Sequence, residues 1–142
     1  ASMNSSLSAA QQEFLDGWKA DPCNVKAAFV AYRDFLAAQP GVTLDFKARP
    51  GISYSVRAAH AAQQNRKLFV LVDVVDDEPE SRWLSVCFYD DMVTDPEGKG
   101  DFVPGGLMGE DAHCFNLDED DPRMRDYIQA RLAEALAKAA AA

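Results

Sequence analysis

The hydrophobic positions run first at helical spacing, then alternate, then return to helical spacing. Ser8-Ala9-Ala10-Gln11 has the S-x-x-Q form of a capping box. Phe14, Leu15 and Trp18 form an apolar side behind it, which predicts a short helix over about residues 9–19. Asp21-Pro22 places a capping carboxylate before a proline at the first helical position. A second helix is therefore expected over about 22–38, with Val25, Ala28, Phe29, Tyr32, Phe35 and Leu36 on one stripe. Gln39-Pro40-Gly41 ends it.

From Val42 the period falls to two. Val42, Leu44, Phe46 and Ala48 alternate with Thr43, Asp45, Lys47 and Arg49, and Ile52, Tyr54 and Val56 continue the pattern after a Pro50-Gly51 turn. A β-hairpin over 42–57 is expected at one edge of a sheet. Residues 58–67, alanine-rich and polar, read as a short helix or a loop. The run 68–75 (LFVLVDVV) is continuously apolar and β-branched, as in a central strand covered on both faces. Strands are also expected over 82–89 and 112–117, and Asp121-Pro122 opens a last helix over 122–140. Phe29 and Leu71 are expected in the core.

Together these elements predict an α+β fold: one domain over 1–142, with 1–7 and 139–142 frayed. Its sheet is a mostly antiparallel, five-stranded meander flanked by two N-terminal helices and one C-terminal helix. Residues 94–111 (TDPEGKGDFVPGGLMGED) are expected as a long loop holding five of the chain's eight glycines. Structureless connections of that length are uncommon unless they serve a function.

Composition narrows the classes. The 142 residues are 48% apolar and 26% charged, which suits a globular chain and argues against disorder. The beginning lacks a basic, then apolar, leader pattern, so no signal peptide is expected. The formal net charge of −9 argues against a nucleic-acid partner and against an anionic membrane surface. That charge is uneven: residues 73–121 hold 16 acids and two bases, Arg82 and Lys99, while the remainder holds 7 acids and 12 bases. Three scattered cysteines, Cys23, Cys87 and Cys114, suggest free thiols in a reducing, cytoplasmic setting. A Cys87–Cys114 bond would require Cα atoms within about 7 Å.

Candidate chemistry is sparse. His113-Cys114 next to Glu110-Asp111 is the densest group of catalytic residue types, and Glu110, Asp111 and His113 define an enzyme alternative. Asp76, Asp77, Asp118 and Asp120 supply the hard oxygens a divalent cation prefers, without the spacing of a calcium loop. Tyr54, Trp83, Tyr89, Phe102 and Met108 are candidates to lie near a ligand. The glycines fit neither phosphate-binding fingerprint, so no cofactor is expected. The leading expectation is a binding module for a cationic small molecule or a basic protein, with homo-oligomerisation through the sheet as a further expectation.

Overall fold

The computed structural model describes residues 7–142; the expected fraying at 1–6 lies outside the described residues. Its elements in chain order are α1 (Ala9–Gly17), α2 (Lys26–Ala37), β1 (Val42–Arg49), β2 (Ser53–His60), β3 (Val70–Val75) and β4 (Trp83–Tyr89). A 3-10 turn at Asp90–Met92 leads to β5 (Asp101–Leu107), β6 (Glu110–Leu117) and α3 (Pro122–Ala140). Among the described residues, three helices and one antiparallel sheet make an α+β architecture.

The helix starts follow their caps with one exception. Ser8 Oγ accepts from the Gln11 N–H at 3.2 Å, and Asp121 Oδ1 from the Met124 N–H at 3.1 Å. The side chain of Gln11 does not close a capping box; its Oε1 accepts from Nε of the buried Arg33 at 3.0 Å. The exception is α2, which begins at Lys26 rather than near Pro22. Asn24 adopts a left-handed conformation (φ 54°) that interrupts the helix. Asp21 still caps, accepting from the Val25 and Lys26 N–H groups at 2.9 and 3.0 Å.

The sheet has six strands, not five, in the order β1-β2-β3-β4-β6-β5, so it is not a simple meander. The added strand comes from the expected 94–111 loop, because Met108 and Gly109 both take positive φ (53° and 82°). That is the backbone of a two-residue hairpin turn, and it folds Asp101–Leu107 back onto Glu110–Leu117. A register shift between Val103 and Leu107 absorbs Pro104, Gly105 and Gly106. Residues 58–60, expected in a short helix or a loop, extend β2.

The 42–57 hairpin does form an edge, with β1 outermost. Val56, Val72, Val86 and Phe115 point from four neighbouring strands into one core with Phe29, Leu36, Ile128 and Leu132 of the helices. The opposite face of β3 is only half covered: Leu71, Asp73 and Val75 are half-buried there, so Leu71 is not in the interior and the strand is not sealed on both faces. At the other end of the chain, α3 continues to Ala140 and Ala139 is fully buried.

The cysteine expectation is corrected. The β4–β6 register sets Cys87 opposite Cys114 with Cα atoms 4.1 Å apart, and the two are joined as a disulfide; Cys23 stays free. Side chains directly opposite at a close antiparallel position have the Cβ separation such a bond needs. Among the described residues, no helix is long and apolar enough to cross a membrane.

Candidate functional site

Strand pairing concentrates the acids. Tyr89, the last residue of β4, lies opposite Ala112 near the start of β6. Asp90 and Asp91, just past β4, therefore meet Glu110 and Asp111, just before Ala112. The four carboxylates and Arg66, from the β2–β3 connection, line a shallow cleft of 180 Å³. Arg66 bridges the two sides: its Nη1 and Nη2 donate to Asp91 at 2.8 and 3.0 Å, and Nη2 also donates to Glu110 at 2.8 Å. Its guanidinium lies 4.0 Å from the ring centroid of Tyr89, a cation–π contact. The hydrogen bond from Arg66 holds the Asp91 carboxyl below its usual range, and the bonds to Asp91 and then Glu110 push the guanidinium further up.

Beside this cleft His113 is clasped between two carboxylates. Its Nδ1 lies 3.2 Å from Asp90 Oδ1 and its Nε2 lies 2.8 Å from Asp95 Oδ2. Asp95 is the hub. It also accepts from the Lys99 and Gly100 N–H groups at 2.8 and 2.9 Å and from the Tyr127 hydroxyl. Burial raises its carboxyl, but the bonds from Tyr127, Gly100, His113 and Lys99 outweigh burial and hold it well below the carboxylate range. Burial, and then the bond to Asp95, push the Tyr127 hydroxyl up. Tyr127 borders a second cleft of 330 Å³ with Glu97, Lys99, Asp121, Arg123 and Met124, whose charges are of both signs.

The sequence candidates are thus dispersed. Glu110 engages Arg66, Asp111 accepts from the Gly105 N–H at 3.1 Å, and His113 has a carboxylate on each ring nitrogen. Asp76 is buried, ion-paired with Arg82 at 2.6 Å and bonded to the Gly51 N–H at 2.8 Å. Asp77 and Asp118 are exposed, and Asp120 bonds Asn24 and Arg125. Among the described residues, no group of three or more His, Cys, Asp or Glu side chains is arranged to hold a metal. Tyr54 stacks on Phe14 with ring centroids 4.0 Å apart, and Trp83 is half-buried at the start of β4. Tyr89 lies beneath Arg66, whereas Phe102 and Met108 are more than half exposed on β5 and at its hairpin tip. These five do not share one pocket.

Sequence reading missed Arg66, Asp90, Asp91, Asp95 and Tyr127. For Asp95 a signal exists: Asp95-Pro96-Glu97-Gly98 has the residues of a tight turn whose aspartate bonds the backbone ahead of it. The turn closes with Gly98 N–H donating to the Asp95 carbonyl at 3.0 Å. Arg66 carries no such signal, because only the fold brings it to Asp91 and Glu110.

Fold and site together define an α+β protein with a six-stranded antiparallel sheet, acidic at the end where β4 meets β6. Compared with known proteins, no family model, no curated protein and no solved structure matches this chain.

Proposed function

We propose that the chain is a binding module that receives a basic protein segment at the acidic end of its sheet. The observation that carries this reading is the cleft in which Asp90, Asp91, Glu110 and Asp111 surround a single cation, Arg66. One guanidinium offsets only part of that charge, and Asp111 and Asp90 keep exposed oxygens that an incoming arginine or lysine would meet. At 180 Å³ the cleft is smaller than the roughly 300–1,000 Å³ of ordinary small-molecule sites. A side chain presented by a protein fits it better than a free ligand. The enzyme reading on Glu110, Asp111 and His113 has less support, since both nitrogens of His113 and the carboxylate of Glu110 are already engaged. A cytoplasmic placement rests on free thiols, and Cys87 and Cys114 are not free. The Cys87–Cys114 bond favours an oxidising compartment, and that is the placement proposed here.

Calorimetric titration with an arginine- and lysine-rich peptide tests the reading. Binding is expected to weaken as salt rises and to fall about tenfold in the Asp90→Asn, Asp111→Asn double variant. Equal binding of a neutral peptide of the same length, or unchanged affinity in the double variant, removes the proposal.

A further inference from the structure

The two outer edges of the sheet are unlike each other. The β5 edge carries Pro104, Gly105, Gly106 and a register shift, devices that keep an edge strand from pairing with another chain. The β1 edge has none of these. It runs eight residues in unbroken register with β2, without proline, glycine or bulge, and among the described residues no strand pairs with its outer side.

The direction of its free backbone groups follows from the ladder. Gly41 O accepts from Ala61 N–H at 2.9 Å, which makes odd-numbered β1 positions the ones bonded to β2. On the other side of β2, Ile52 O accepts from Asp76 N–H at 2.9 Å, so the alternation is continuous across both ladders. The N–H and C=O groups of Leu44, Phe46 and Ala48 therefore point outward. Leu44 and Phe46 are only half-buried by the helices, and Asp45 and Lys47 are exposed on the opposite face.

We propose that this edge is a homodimer interface, in which β1 pairs antiparallel with β1 of a second copy about a two-fold axis at Phe46. Every two-fold register centred on a β1 residue sets outward groups against outward groups, but only centring at Phe46 pairs Leu44, Phe46 and Ala48 wholly among themselves. Centring at 45 sets Asp45 against its own copy, and centring at 47 does the same for Lys47; like charges directly opposite are unfavourable. Centring at Phe46 sets Asp45 against Lys47 of the second copy, twice by symmetry. It also stacks Phe46 on Phe46 and Leu44 on Ala48 along the half-covered helix side. About six backbone hydrogen bonds would form, and two six-stranded sheets would become one of twelve strands. This register pairs all three outward residues, sets opposite charges against each other and brings the apolar side chains together.

Sedimentation equilibrium from micromolar to submillimolar protein reads the oligomeric state, with circular dichroism reporting folding of each variant. Wild type is expected to be a dimer. Lys47→Asp sets acid against acid and should raise the dimer dissociation constant about tenfold or more. The double variant Asp45→Lys, Lys47→Asp restores opposite charges and should restore the dimer. Ala48→Pro removes an outward N–H that the β1–β2 ladder does not use, so it should give a folded monomer. A wild-type monomer across the whole range, or a dimer that survives both Lys47→Asp and Ala48→Pro, overturns the proposal. These variants leave the acidic cleft untouched, so the outcome is independent of peptide binding there.

Discussion

At the scale of single residues, Asp95 organises more of this molecule than any other polar side chain in the region. It ties the turn after Thr94 to β6 through His113 and to α3 through Tyr127, and it satisfies two backbone N–H groups of its own turn. Gly100, one of those donors, has no room for a side chain: a Cβ there would lie 2.7 Å from the Phe115 ring and 2.8 Å from the His113 ring. Asp95→Asn keeps the shape but loses the charge, and should cost on the order of 2 kcal/mol at neutral pH. Because the folded-state carboxyl is held below its unfolded value of 3.8, its stabilisation is complete above that value and is lost as pH falls toward the folded one. The melting-temperature gap between wild type and Asp95→Asn should therefore narrow as pH drops from about 5 to about 2. A gap constant over that range would contradict the role given to the charge.

At the scale of elements, burial separates two positions that look alike in sequence. Phe29 on α2 is 2% exposed and packs edge-on against Phe14 at 6.0 Å, so Phe29→Ala should cost about 3–5 kcal/mol. Leu71 lies on the half-covered face of β3, and Leu71→Ala should cost only about 1–2 kcal/mol, since less surface and a smaller cavity are involved. Urea denaturation of the two variants under the same conditions checks the order. A loss at Leu71 equal to that at Phe29 would mean that the outer face of β3 is sealed in solution. The connection from β4 to β5 shows how an element without a core of its own is held. Thr94 donates through N–H and hydroxyl to Glu134 of α3, each at 2.8 Å, and Lys138 reaches the Asp91 carbonyl at 3.1 Å.

At the scale of the whole molecule, the disulfide links the middle of the sheet to its last hairpin. Its partners are 27 residues apart, and closing a loop of that size should contribute about 3–4 kcal/mol through the unfolded state. Reduction should lower the denaturation midpoint accordingly. Thiol titration of protein isolated under oxidising conditions should find one reactive group, Cys23, before reduction and three after unfolding and reduction. Three titratable thiols without reductant would remove both the bond and the compartment proposed from it. The charge asymmetry also becomes spatial at this scale. The acid-rich stretch 73–121 contributes the ends of β4 and β6 to one cleft, while Lys47 and Arg49 lie on the edge strand β1 and Arg57 on β2 beside it.

Local chemistry in the sequence was enough for the α+β class, the caps at Ser8 and Asp121, the edge hairpin after Val42, and the central position of β3. Each depends on contacts within a few residues or on a period that one buried face imposes. Asn24 could override the start of α2 because a single left-handed residue ends a helix whatever stripe follows. The sixth strand was hidden for a related reason. Val103-Pro104-Gly105-Gly106 has poor strand propensity, and only pairing with β6 across the Met108-Gly109 turn makes it extended. Long-range register decided the rest. It set Cys87 on Cys114, and it brought Asp90 and Asp95 to the two nitrogens of His113 from 23 and 18 residues away. It also carried Glu110 to Arg66, 44 residues away. Sequence spacing records neighbours along the chain, whereas these contacts exist only once antiparallel strands have chosen which residues stand opposite each other.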